Sequence, residues 1–229
     1  MSSPLGNISP HFFQRALIKL HKKTSHSHRV KTLSEIIYRD FLLPFYNEKD
    51  DLKVLDIGCG DMQIIYELKN KLPEYLFKGI DVFKLPENFV SDAYWQNYAC
   101  FDGINIPFED NYFDVVLLID VLHHIQVEKQ LPLLTEIKRV AKFVIIKDHF
   151  EYGFFSRQML RLMDLAGNWA YGVRIPKKYF TKTSFASFLS IANCKKIKMI
   201  EGINLYQHLK PLNFIMQDNW QFIYFGKLN

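Results

Sequence analysis

The dipeptide-spaced glycines of Gly58-Cys59-Gly60 stand directly behind the apolar run Lys53–Ile57, and acids recur behind the later runs. Asp81 follows Tyr75–Ile80, Asp102 follows a weaker run, and Asp120 follows Phe113–Ile119. Behind Phe143–Ile146 come Lys147, Asp148 and His149. In an open parallel sheet, ligands bind beyond the carboxyl ends of the strands. A single Gly-x-Gly also serves as a simple tight turn. An acid at successive strand ends is the stronger signal, because unrelated turns would not produce that order.

The chemistry of the loop narrows its ligand. A dinucleotide fingerprint needs a small residue at position 63, which here is Gln63. Asp61 stands at the expected helix start, where a pyrophosphate would dock and be repelled. The same carboxylate suits a cationic ligand, or caps the helix. Asp81 lies 21 residues after Gly60, close to the spacing of a carboxylate that takes ribose hydroxyls. The loop therefore suits a positively charged, phosphate-free adenosine compound, and S-adenosylmethionine has those properties.

Residues 53–61, KVLDIGCGD, resemble the first motif of the class I S-adenosylmethionine-dependent methyltransferases. GIDVF (79–83), FDGINIPFEDNYFDVVLLIDVLHHI (101–125) and FVIIKDH (143–149) resemble the later motifs in the same order. KDHFEYGFF, LMDLAGN and GVRIPKKYF resemble a small bacterial subgroup, similar to the type 11 methyltransferases. The resemblance implies an α/β fold: a Rossmann-like doubly wound sheet, mostly parallel with a final antiparallel strand, and helices on both faces. It implies S-adenosyl-L-methionine as cofactor. Asp56, Gly58, Cys59 and Gly60 would then line its methionine part, Asp81 and Val82 its ribose side, and Asp102 and Gly103 its adenine. Asp120 and Val121 would lie on the sulfonium side, facing the acceptor. Many members carry a third glycine where this chain has Met62.

Methyl transfer needs alignment above all, and a base only where the acceptor loses a proton. His149, His124 and Asp148 are the candidate catalytic groups, with His123 beside them. Histidine suits the task through its unperturbed pKa of about 6.5. His123 and His124 alternatively pack or cap the segment behind the fourth strand, and Lys147 alternatively pairs with a nearby acid. Arg29, near His26 and His28, either holds the cofactor's carboxylate or is a surface charge. No His/Cys cluster has metal-ligand spacing, so no metal is expected.

These groups need a frame. Strands nearly all apolar, alternating with helices, point to a parallel sheet covered on both faces. Helices are expected from Ser27 until Pro44 ends the segment, from Ile64 to Leu72, and from Val127 to Val140. Further helices are expected over Phe155–Leu165, stopped by Gly167, and over Thr183–Ala192, with strands at Ile197–Ile200 and Phe222–Phe225. Residues 1–10, with Pro4, Gly6 and Pro10, read as a loose arm, and Phe12–Leu20 as a short helix. The organisation expected is an N-terminal helical extension over 1–49 and a methyltransferase domain over 50–229. Residues 150–182, with Trp169, Tyr171, Gly172, Pro176 and Tyr179, form an aromatic cap over the acceptor, or pack on the core.

The chain has 229 residues and is 48% hydrophobic, enough for one sizeable core. Its longest aliphatic run, Val115–Ile119, is far too short to span a membrane, and the N-terminus has no leader pattern. Three scattered cysteines suit a reducing cytoplasm. Net charge is +5, and residues 1–49 hold eight Lys/Arg against three Asp/Glu. The favoured activity is methyl transfer to a small molecule. RNA methylation through the basic front is the alternative, as is a non-catalytic partner that keeps the fold; the oligomeric state is left open. No cysteine follows a proline and there is no Asn-Pro-Pro-Tyr stretch, which argues against two classes of nucleic-acid methylase.

Overall fold

The computed structural model describes residues 27–46, 51–84, 95–168, 175–206 and 217–228. The expected arm, the helix over 12–20, His26, Trp169, Tyr171 and Gly172 lie outside these residues. Seven strands form one sheet: β1 Lys53–Ile57, β2 Leu76–Asp81, β3 Tyr98–Cys100, β4 Phe113–Ile119, β5 Ala141–His149, β6 Cys194–Glu201 and β7 Gln221–Leu228. Their order is β3-β2-β1-β4-β5-β7-β6. β1 through β5 run parallel, while β7 pairs antiparallel with both β5 and β6. This is the doubly wound sheet with antiparallel closing strands that the motifs imply.

Alternation along the strands explains the two cores. Leu55, Ile57, Val116, Leu118, Val144 and Ile146 face one side. Val54, Val115, Leu117 and Ile145 face the other. Successive side chains of a strand point to opposite faces, so continuous apolar runs must be covered twice. The helices are α1 Ser27–Ile37, α2 Gln63–Lys71, α3 Val127–Val140, α4 Phe154–Asn168 and α5 Lys182–Ile191. Leu33 and Ile37 of α1 and Ile65 and Leu68 of α2 cover one face. Leu133, Leu134 and Ile137 of α3 and Phe185 and Phe188 of α5 cover the other. At the head of α5, Thr181 accepts from the Ser184 amide while the Ser184 hydroxyl accepts from the Thr181 amide. Two amides that the first turn leaves without partners are thereby satisfied.

Three local expectations are corrected. Pro44 does not end its helical segment: a π-turn over Tyr38–Leu42 leads into a short turn over Leu43–Tyr46. The Asp40 carbonyl, four residues before the proline, accepts from the Lys198 ammonium at 3.1 Å, in place of the donor that proline lacks. Gly167 does not stop α4, which continues to Asn168. The fifth strand does not end at Ile146; Lys147, Asp148 and His149 continue it, opposite Ile223, Phe222 and Gln221 of β7. These three are buried, so strand continuation depends on their charges being compensated in the interior.

Candidate active site

β1 pairs with β2 on one side and β4 on the other, and the chain switches direction of winding between them. The crevice at such a switch point is the expected ligand site. The loop after β1 hangs on the end of β2. The Gly58 and Cys59 amides both donate to the Ile80 carbonyl, at 2.8 and 3.2 Å. The Gly60 amide donates to Asp81 Oδ2 at 2.9 Å, and the Val82 amide to Asp81 Oδ1 at 2.7 Å. Gly58 needs its glycine twice over: its φ is +71°, and a Cβ there would stand 2.5 Å from Val121 Cγ2. Gly60, at φ +53°, faces open space. Met62 supplies the third positive φ of the loop, +59°, at the start of α2. Position 62 thus takes a left-handed backbone with a buried methionine.

Asp56 sits on β1 beside this loop and is 2% exposed, with Oδ1 lacking a partner. Burial, and then the neighbouring Asp81 carboxylate, push its pKa up to about 8. An orphaned buried carboxyl beside an open glycine cradle fits a ligand that brings a cation. A diphosphate would add repulsion. The Cys59 thiol is buried and burial pushes its pKa up, so it is an apolar wall and no nucleophile. Asp102 is exposed and folded back on its own loop, accepting from the Ile104 and Asn105 amides at 2.8 and 2.7 Å. Gly103 beside it has φ +89°, 3.3 Å from Val82 through a notional Cβ. Val82 itself is half exposed.

The other half of the crevice, past β4 and β5, holds a charge network. Asp120 adopts φ +57° and accepts from Lys147 Nζ at 2.5 Å and from the Arg29 guanidinium. Burial pushes its pKa up, but Lys147 and Arg29 together hold it well below the usual carboxylate range. Arg29 therefore pairs with Asp120 and is not a free surface charge. Lys147 likewise has its acid partner. His149 is 5% exposed, with Nδ1 lacking a partner and Nε2 3.4 Å from Lys147 Nζ. Burial, then the Lys147 charge, lower its pKa, so it is a neutral imidazole. Asp148 is fully buried and committed: it binds His123 Nδ1 at 2.6 Å and the His149 amide at 2.7 Å. Its carboxylate is thus spent on positioning the two histidines. Burial works against charge on His123, and the Asp148 carboxylate outweighs it, raising its pKa to about 10.

Sequence reasoning missed Asp164 and the use of Tyr179. Asp164, on α4, lies 3.6 Å from His123 Nε2 and accepts from the Tyr179 hydroxyl. Tyr179 packs over His123 and His149, with ring centroids 5.4 and 6.3 Å away. The segment is anchored by Glu151, which takes Arg157 at 2.6 and 2.8 Å and the Tyr179 amide at 3.0 Å. LMDLAGN, quoted above for its resemblance, contains Asp164, but no spacing rule connects it to His123. His124 lies beside His123, ring centroids 4.1 Å apart.

The family described as "Methyltransferase domain" matches residues 55–143. An uncharacterised protein of Methanocaldococcus jannaschii is 34% identical over 113 residues, 47% of this chain and 45% of that protein. The mouse mitochondrial tRNA N(3)-cytidine methyltransferase is 27% identical over 101 residues, 38% of this chain and 36% of that protein. The chain thus spans less than half the length of these curated relatives. A solved 1,6-didemethyltoxoflavin-N1-methyltransferase of Burkholderia thailandensis, holding its substrate and S-adenosylhomocysteine, superposes with TM-score 0.56. Its identity is 14%, with 100% of this chain and 93% of that chain covered, a likeness of fold. Residues 55–143 thus match a methyltransferase domain, and the strand order and glycine loop around them are those of the same fold.

Proposed function

We propose that this chain transfers the methyl group of S-adenosylmethionine to a small-molecule acceptor. Asp56, Gly58, Cys59 and Gly60 would hold the methionine part of the cofactor, and Asp81 and Val82 the ribose. Asp102 and Gly103 would border the adenine, Asp120 and Val121 would lie on the acceptor side, and Arg29, paired with Asp120, would take the cofactor's carboxylate. When bound, the cofactor supplies a methyl group activated by its positive sulfur. The chain's own residues align the acceptor, exclude water and take the acceptor's proton on the neutral imidazole of His149. Lys147 and Asp120 fix that ring's surroundings, and Asp148 fixes its backbone.

One observation carries the small-molecule reading. His123 and His149 are 6% and 5% exposed, with Tyr179 packed by both rings and Asp164 by His123, an enclosure that suits a small acceptor better than a polymer. The test is incubation of the whole chain with methyl-labelled cofactor and a cell extract divided into nucleic-acid, protein and small-molecule fractions. Label in the small-molecule fraction is expected, and label only in nucleic acid overturns the reading. A second reading, RNA methylation, draws on the tRNA activity of the mouse relative and on the eight Lys/Arg of residues 1–49. It predicts RNA binding that weakens steeply with salt.

A further inference from the structure

We propose that His123, His124 and Asp164 form a site for a zinc-class divalent ion at the acceptor end of the crevice. One donor atom from each lies within 4.8 Å of the others. His123 Nε2 is buried and has no hydrogen-bond partner. Its gap to Asp164 Oδ2, 3.6 Å, is too long for a hydrogen bond. Two metal–ligand bonds of about 2.1 Å span that gap at an angle of roughly 118°, near tetrahedral.

The surroundings are those of a metal site. Metal-binding histidines donate their second ring N–H to a carboxylate, which fixes the tautomer. His123 Nδ1 has such a partner in Asp148, at 2.6 Å with both side chains fully buried. Asp164 is oriented in turn by the Tyr179 hydroxyl. Asp148 and Asp164 together balance a doubly charged ion, which on binding displaces the proton from His123 Nε2. The neighbouring group of Asp120, His123 and His149 also gathers three donors. The Lys147 ammonium stands among them, 2.5 Å from Asp120 and 3.4 Å from His149, and excludes a cation there. Sequence spacing hides the site, because two adjacent histidines meet an aspartate forty residues further on.

Three protein ligands leave a fourth position for an acceptor oxygen, which the ion would polarise as a Lewis acid. That use rests on the methyl-transfer reading; the binding of the ion does not.

The experiment titrates the chelator-treated whole chain with Zn²⁺ against a chromophoric chelator, and with Co²⁺ followed by visible absorption. Binding of S-adenosylmethionine is measured separately on the same preparation. One equivalent is expected, with the intense visible bands of low-coordinate cobalt. Affinity should fall about 10–100-fold in Asp148→Asn, and at least that in Asp164→Asn and His124→Ala. His124 is only half-buried, so its variant should fold even if the Asp148 variant does not. Cys100→Ser removes the exposed thiol and should change nothing. Absence of micromolar binding, or binding unchanged in His124→Ala and Asp164→Asn, overturns the site. Loss of binding in Cys100→Ser alone shows an adventitious ion and also overturns it. S-adenosylmethionine binding without Zn²⁺ binding would sink the ion and leave the methyltransferase reading standing.

Discussion

The two halves of the crevice solve opposite electrostatic problems. Past β1 and β2, Asp56 is buried without a cation and its carboxyl is pushed up by its own surroundings. Past β4 and β5, Lys147, Asp148 and His123 are buried and Asp120 and Arg29 partly so, but each of these acids has a cation against it. The first half is incomplete until a ligand brings positive charge. The second has its charges paired as folded, with the neutral imidazole of His149 beside them. An unpartnered buried carboxyl and a paired charge network thus sit side by side on one sheet.

Removing an acid should therefore have opposite consequences in the two halves. Asp120→Ala strands the Lys147 and Arg29 charges in the interior and should destabilise the fold by about 3–5 kcal/mol, read by urea unfolding. A loss within the range of a surface pair would erase the distinction between the halves. Asp56→Asn should instead stabilise the ligand-free chain near pH 8 while weakening cofactor binding. The sign follows from linkage. The folded pKa of Asp56, about 8, stands above the unfolded value, so its contribution is full in acid and lost as pH rises toward 8. One proton bounds that slope at about 1.4 kcal/mol per pH unit. Unfolding measured from pH 5 to 8 should fall less steeply in the variant than in the parent.

Gly58→Val tests the cradle. Its side chain would meet Val121 and force a β-branched residue to φ +71°, at a backbone cost of about 1–2 kcal/mol. Calorimetry should show cofactor affinity reduced by more than about tenfold in a chain that still unfolds cooperatively. Unchanged affinity would remove the loop from the site. The exposed pair Lys71–Glu35, which joins α2 to α1 at 2.6 Å, is the control outside both halves. Lys71→Ala should shift stability by no more than about 0.5 kcal/mol.

The first half was legible in the sequence because its chemistry is local. KVLDIGCGD sets strand and turn within nine residues, two residues ahead of the helix that begins at Gln63, and Asp81 closes the next strand. The strands β1, β2 and β4 and helix α3 were equally plain, since apolar periodicity marks them directly, while the three-residue β3 showed only as a weaker run. The second half was legible only in part. Lys147, Asp148 and His149 read as the end of a strand, because polar residues normally mark the surface. They are interior residues whose partners come from Arg29, Asp120 and His123, far apart in the chain. Asp164 and Tyr179 joined them through the packing of α4, which no local pattern encodes. Pro44 misled for a related reason: its missing donor is replaced by Lys198 from a distant strand.

The central claim is that the β1–β2 half is built for a cationic, phosphate-free nucleoside. Isothermal titration of the whole chain with S-adenosylmethionine and, in parallel, with a nicotinamide dinucleotide tests it most directly. The account predicts one equivalent of the methyl donor bound, with affinity weakened in Asp56→Asn and lost in Gly58→Val, and no heat from the dinucleotide. Saturable binding of the dinucleotide, or none of the methyl donor, would contradict it.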